Sequence, residues 1–364
     1  MSCRVRPTGV TVYNKGKAYE GYTLFAPMGG DTIYLVDMEG KVVHSWKIPY
    51  PAHMARLLAT GNILYMCRTE EGPIKAGGKT GIVIEATWEG EIVWKYEDNT
   101  LHHDCFRSRN GNTLLMCWEK VPEEIANRVK GGLPFEWQSE GKMADGAMWS
   151  DKIIEVDRNG KIVWEWHAYD HLDPEEDFIC PLCGRLEWTH GNAVFETKSG
   201  DVLTSFRQTN TVGIIDKESG DWKWKWGRGV IYHQHDPTEL PNGNILIFDN
   251  GAHKPDPQLP GSRVVEVDPK ENKIVWEYSD PNYLGFYSHV ISGAQRLPNG
   301  NTLICEGNRG RIFEVTLEKE IVWEYYSPFE SRIVPVHNKR RGVSYDVFRA
   351  YKYGKEYPGL VNLR

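Results

Sequence analysis

Residues 153–166 read IIEVDRNGKIVWEW, two runs of strand-forming residues on either side of an Asp-Arg-Asn-Gly turn. That arrangement specifies an antiparallel hairpin, and the chain repeats it. The copies are IYLVDMEGKVVHSW (33–46), IVIEATWEGEIVWKY (82–96), VGIIDKESGDWKWKW (212–226), VVEVDPKENKIVWEY (264–278) and IFEVTLEKEIVWEYY (312–326). Aligned on the Trp, the six positions are His44, Trp94, Trp164, Trp224, Trp276 and Trp323, separated by 50, 70, 60, 52 and 47 residues. Two residues later comes a second aromatic side chain in every copy: Trp46, Tyr96, Trp166, Trp226, Tyr278 and Tyr325.

Between these hairpins lies a second kind, built on Leu-x-x-Gly-Asn-x-Leu. Its copies are LLATGNILYMC, FRSRNGNTLLMC, FETKSGDVLTSF, LPNGNILIFDN and LPNGNTLICEG. Two hairpins per repeat give four strands in roughly 40–50 residues, which is the period of a propeller blade. The fold class is therefore all-β: a six-bladed β-propeller of four-stranded antiparallel blades. Five inner hairpins against six outer ones leave blade 1 incomplete. Residues 22–27 are expected to supply one missing strand, and residues 332–336 to supply the other and close the ring, removing the free sheet edge.

The propeller is expected to span residues 1–337, with inserts at 119–150 and 168–187 that break the period. The first insert predicts a short helix around residues 122–129, and the two together are placed over one face as a lid or subunit contact. Residues 338–364, with the basic cluster Lys339–Arg341, read as a tail packed on the propeller or engaged in a homo-oligomer contact.

Composition is consistent with this reading. The 364 residues carry 43 Lys and Arg against 50 Asp and Glu, a net charge of -7, so a nucleic-acid partner is not expected. Aromatic residues make up 12 %, with 14 Trp, and 36 Gly and 20 Pro supply turns. No apolar run of 18 residues occurs, which predicts no membrane-spanning helix. With no apolar leader at residues 1–25 and seven Cys, an odd number, the expectation is a cytoplasmic protein with reduced thiols. Cys180-Pro-Leu-Cys183 fits a structural loop or a partial metal knuckle better than a redox pair. Zinc needs four ligands, and the sequence offers no second CxxC.

The histidines are not spread evenly. His53, His103, His190, His235 and His289 precede the turn Gly of an inner hairpin by 8, 8, 10, 8 and 11 residues, and His337 follows the expected closing strand. This places nearly one imidazole per blade at the start of the innermost strand, facing the central channel. Three chemistries suit that set. The histidines can be repeat residues making structural hydrogen bonds. Alternatively, His53, His103, His190, His235 and His289 can ligate a transition metal (Zn, Cu, Fe, Ni or Co), giving a metal-dependent lyase, hydrolase, oxidoreductase or hydratase. Or one imidazole is a nucleophile while others assist a leaving group, with Arg207, Arg263 or Arg309 clamping an anion. Asp104 and Asp236, each following a ring histidine, either orient an imidazole or occupy a turn. Trp118, Trp137, Trp149 and Trp188 lie in or beside the inserts, where they pack or meet an aromatic substrate.

Several phrases resemble the bacterial arylsulfate sulfotransferase family: the opening PTGVTVYNKGKAYEGYTLFAPMGG, then WTHGNAV, HDPTELPNGNILIFDNG, SRVVEVD and SGAQRLPNGNTLICEG. The likeness covers roughly the first 330 residues and implies a divergent member without a signal peptide. It implies transfer of a sulfuryl group from an aryl sulfate to a phenol through a sulfated histidine, with no cofactor required. By the same resemblance His289 is the nucleophile, His190 and His235 bind the sulfuryl oxygens and assist the leaving phenolate, and Arg263 is the clamp. His103, Arg207 and Asn192 are the expected substrate-binding residues, and the partner is a small aromatic or anionic molecule.

Overall fold

The computed structural model describes residues 6–133, 147–255, 261–282, 285–332 and 344–363. His337, Trp137, residues 333–336 and the cluster Lys339–Arg341 lie outside the described residues. The fold is a six-bladed β-propeller of four-stranded antiparallel blades, one of them extended by a fifth strand.

Two compact units partition the chain: residues 1–67, 84–93 and 290–364, and residues 68–83 and 94–289. In the first unit, blade 1 runs Val347–Gly354, Gly21–Pro27, Thr32–Val36, Val42–Lys47. Blade 6 runs Gly293–Arg296, Thr302–Glu306, Arg311–Val315, Ile321–Tyr326, with Gly9–Tyr13 added at its outer edge. Closure differs from the expected scheme in its last strand. Residues 22–27 do pair in blade 1, but their partner is Val347–Gly354, in the segment read as a surface tail. That strand has apolar content to bury: Val347, Phe348, Ala350 and Tyr351 are all buried in it.

The second unit holds blade 3 (Leu101–Arg107, Thr113–Lys120, Trp149–Val156, Ile162–His167), blade 4 (Gly191–Glu196, Val202–Phe206, Thr211–Ile215, Trp222–Trp226) and blade 5 (His235–Glu239, Ile245–Asp249, Arg263–Asp268, Lys273–Ser279). Blade 2 is the sheet Ala52–Leu57, Ile63–Arg68, Gly81–Ala86, Ile92–Glu97. The two inserts meet each other. The first contributes a single helical turn, Glu123–Ala126, and the strand Gly131–Leu133. That strand pairs in parallel with Ile179–Gly184 of the second insert.

The repeated Trp has a physical role. Four of the indoles reach the turn of the following blade and donate their Nε1–H to an oxygen there. Trp94 reaches the Arg158 carbonyl (3.1 Å), Trp164 that of Lys217 (2.9 Å), Trp224 the Asn272 side chain (2.8 Å) and Trp323 the Met38 carbonyl (2.8 Å). His44 fills the same position in blade 1 by stacking on Trp88 (4.3 Å, 17°) and bonding the Trp88 carbonyl at 3.0 Å. Each such bond contributes about 1 kcal/mol, in addition to the apolar area the rings cover.

The Asn of the Gly-Asn turns has an equally local use. It donates to a Glu on the third strand of its own blade: Asn62 to Glu85, Asn112 to Glu155, Asn244 to Glu266 and Asn301 to Glu314, at 2.6–2.9 Å. Blade 4 inverts the arrangement, with Asp201 at the turn meeting Lys223 at 2.9 Å.

Candidate active site: imidazoles on the inner strands

The inner strands of blades 1 to 5 are irregular near their N-terminal ends. Pairing with the second strand skips at His53, at residues 102–104, at Asn192, at residues 236–237 and at residues 348–349. Such bulges turn a side chain out of the regular alternation. His103 (φ 54°), His190 (φ 52°) and Asp236 (φ 54°) adopt left-handed backbone there. Each such non-glycine residue costs roughly 1–3 kcal/mol, a strain that concentrates at functional positions.

In blades 3 and 4 the bulges bring polar groups together. The His103 and His190 rings lie edge to face, 4.7 Å apart. The Nδ1 atoms of His102 and His103 are 2.9 Å apart, and Nε2 of His102 meets Asp151 Oδ1 at 3.0 Å. Nδ1–H of His190 donates to Glu187 Oε2 at 2.7 Å, and Glu187 Oε1 accepts the Trp118 indole N–H at 2.8 Å. Trp118 also stacks on His102 at 4.6 Å. The loop Gly77–Gly78 lies against both rings. A Cβ at Gly78 would fall 2.0 Å from Cε1 of His103, and its φ of +74° independently favours glycine.

The carboxylates and amides beside these rings stitch one blade to the next. Asp104 Oδ2 accepts Val194 N–H (3.0 Å) and Asp151 Oδ2 accepts Gly191 N–H (2.6 Å). Asn192 donates to the Gln234 carbonyl (2.8 Å), and Asn250 to that of Ser288 (2.7 Å). Asn250 Oδ1 also accepts from Nδ1 of His235 at 2.7 Å, with the His233 carbonyl 3.1 Å from the same nitrogen. Two acceptors at Nδ1 fix the proton there, so the neutral His235 imidazole carries its lone pair on Nε2. His190 has the same tautomer, set by Glu187.

His289 lies in the loop before blade 6, its ring 6.1 Å from that of Tyr287. Burial raises the Tyr287 phenol, and the positive charge of Arg207 opposes that shift. Arg207 also acts electrostatically on Cys183 and His233. Burial, helped by Arg207, holds His233 down to about 3.

Several sequence-based roles change. Arg263, expected as the clamp, is committed elsewhere: its guanidinium donates to Asp249 (2.8 Å), Glu277 (3.1 Å) and the Val230 carbonyl (2.7 Å). Arg309 faces Glu306 at 3.3 Å; of the three arginines considered, Arg207 is the one that acts on Tyr287, Cys183 and His233. Asn192 directs its amide N–H to a backbone carbonyl, and Asp104 accepts the backbone N–H groups of Cys105 and Val194. His53 packs on the Phe348 ring at 4.1 Å. Glu187 and Asp151 were not foreseen as site residues, whereas Trp118 was expected to pack or to meet an aromatic substrate and here stacks on His102; the sequence signal was Glu187, three residues before His190.

The metal reading of the five histidines is not favoured. Among the described residues, one set of ligating atoms lies mutually within 4.8 Å, formed by Cys180, Cys183, His233 and His253. None of the five belongs to it. The carboxylates, amide and aromatic rings beside the inner-strand imidazoles give hydrogen-bonding partners instead of a common coordination point.

The chain is an all-β propeller with imidazoles held in fixed tautomers at the starts of its inner strands. Residues 33–230 and residues 134–328 each match a family model described as arylsulfotransferase (ASST). Each match covers more than half of the sequence, and the chain belongs to the arylsulfotransferase family. Arylsulfate sulfotransferase AssT of Escherichia coli O6:H1 (strain CFT073) is 24% identical over 242 residues, covering 45% of this chain and 40% of that protein. The chain thus matches less than half the length of that curated relative. Among solved structures, a protein of unknown function from Bacteroides caccae superposes with a TM-score of 0.55 at 13% identity, covering 92% of this chain and 98% of that one. A streptogramin B lyase superposes at 0.50 and 13% identity, covering 89% and 84%. Both likenesses concern the fold.

Proposed function

We propose that the protein transfers a sulfuryl group from an aryl sulfate to a phenol through a sulfated His289. An imidazole nitrogen of His289 forms the N–S bond as the S–O bond to the aryl group breaks. Before transfer His190 carries a second proton on Nε2, as an imidazolium whose Nδ1–H is held by Glu187; the departing aryloxide takes the Nε2 proton and leaves the neutral tautomer. A phenol then enters, returns a proton to Nε2 of His190 and attacks sulfur, breaking the N–S bond and regenerating His289. Arg207 supplies positive charge for the sulfuryl oxygens in place of Arg263, and His103 and His235 donate to them when protonated at Nε2.

The observation that carries this reading is the Asn250 bridge. One carboxamide holds the His235 ring at 2.7 Å and the carbonyl of Ser288, the neighbour of His289, at 2.7 Å. It supports a fixed spacing between the nucleophile and an assisting imidazole. The test is two-substrate kinetics with a chromogenic aryl sulfate and a simple phenol. The account expects ping-pong behaviour, an initial burst of about one phenolate per chain, and loss of at least about 10³-fold in kcat for His289→Asn. Sequential kinetics without a burst, or an active His289→Asn variant, contradict it.

A further inference from the structure

The Cys-Pro-Leu-Cys segment finds the ligands that the sequence did not reveal. Cys180 and Cys183 are at the two ends of the insert strand Ile179–Gly184. His233 arrives from the segment leading into blade 5, and His253 from the loop after its second strand. Cys180 Sγ is 3.4 Å from Nδ1 of His253, Cys183 Sγ is 3.6 Å from the same nitrogen, and Cys183 Sγ is 3.5 Å from Nε2 of His233. A tetrahedral centre with zinc bonds of about 2.3 Å to sulfur and about 2.0–2.1 Å to nitrogen has sulfur–nitrogen edges of about 3.6 Å. The three observed separations match those edges.

The backbone points the same way. Both histidines adopt left-handed backbone, His233 at φ 58° and His253 at φ 61°, so each ring is turned toward the sulfurs against local preference.

We propose that Cys180, Cys183, His233 and His253 bind one structural zinc ion. Four protein ligands of this softness select zinc and leave no open position for substrate. The ion would act as a clip. Cys183 stands four residues before Glu187 and seven before His190, and His233 stands two before His235. One metal would therefore fix the insert that presents the His190–Glu187 pair to the segment that presents His235. Cys180 and His253 also line a cavity of about 420 Å³, bordered by Phe178, Leu182, Arg228 and Tyr232, through which a chelator can approach. The ion's function in positioning imidazoles rests on the sulfuryl-transfer reading; its binding does not.

The experiment uses the full chain, purified without a histidine tag and equilibrated with zinc alone. Elemental analysis should find about one zinc per chain, released by a thiol-specific mercurial. Cobalt substitution should give the intense visible bands of tetrahedral thiolate ligation. His253→Asn, at an exposed position and with a side chain that tolerates left-handed backbone, and Cys183→Ser should each lower zinc affinity at least about tenfold. Less than about a tenth of an equivalent in the folded wild type overturns the proposal. So does a mass showing a Cys180–Cys183 disulfide in the freshly isolated protein, or undiminished zinc affinity in both variants. None of these readouts involves a sulfate ester, so a failed transfer assay leaves the zinc result standing.

Discussion

The inner strands of the two units share one geometry and hold different chemistry. In the unit containing blades 3 to 5, the residues at or beside the bulges are His103, His190 and the His235–Asp236 pair, linked to Asp151, Glu187 and Asn250. In the other unit the corresponding positions are Phe348 of blade 1 and His53 of blade 2, whose rings pack on each other at 4.1 Å. Blade 6 has Ile291 and Ser292 in left-handed backbone just before its first strand. The outer strands do not diverge in this way, since Trp94, Trp164, Trp224 and Trp323 all fasten a blade to its neighbour's turn. Repetition preserved the fastener in both units while the bulge was filled with polar, reactive groups in only one.

The largest expected effect tests that asymmetry directly. His190→Asn should lower sulfuryl transfer by about 10²–10⁴-fold, the range for loss of a general acid or base. His53→Asn should lower it less than tenfold by the same criterion. Steady-state kcat/KM for the two variants checks this, and equal losses would erase the distinction between the units.

A second prediction moves stability without moving chemistry. Lys352 and Glu314 form an ion pair at 2.7 Å with both side chains fully buried, and Glu314 also accepts Asn301 and the Tyr19 N–H. Lys352→Met leaves that carboxylate uncompensated and should cost about 3–5 kcal/mol, read from denaturant unfolding. Turnover per folded molecule should stay within a factor of about two, since the pair belongs to the unit without the imidazole cluster.

The smallest effect concerns pH. Burial pushes Glu119, paired with His167 at 2.7 Å, from 4.5 up to about 7. Because the folded value lies above the unfolded one, the folded state holds the extra proton between those limits. Stability therefore falls as pH rises from about 4.5 through about 7. Glu119→Gln should be more stable than wild type at pH 8, by about 1 kcal/mol, and no more stable at pH 4. A variant advantage that is the same at both pH values would show that the carboxyl is not the source.

The repeat was readable because hairpin periodicity and turn chemistry are local. The Trp spacing alone identified six blades, and the Asn turns marked which hairpin was which. Closure was harder to read. Residues 347–354 carry the same alternating apolar content as other inner strands but lack a hairpin partner nearby in sequence, so the segment resembled a tail. The histidine spacing found the inner-strand positions, although it could not separate His53, against an aromatic ring, from His190, against a carboxylate. Glu187 and Asp151 act through contacts made only after blades 3 and 4 pack. The partners of Arg263 were not legible because Asp249 and Glu277 lie on the flanking strands of its own blade. The CxxC was legible as half a metal site. Its other half, His233 and His253, lies 50 and 73 residues from the cysteines it faces most closely.

The most direct test of the central claim is to map the covalent intermediate. The protein would be mixed with an aryl sulfate, quenched under cold alkaline conditions and digested, and the sulfuryl group located by mass spectrometry. The account predicts a single modified residue, His289, whose label disappears when a phenol is added and is absent from His289→Asn. A label on another residue, or turnover with no modified histidine, would contradict it.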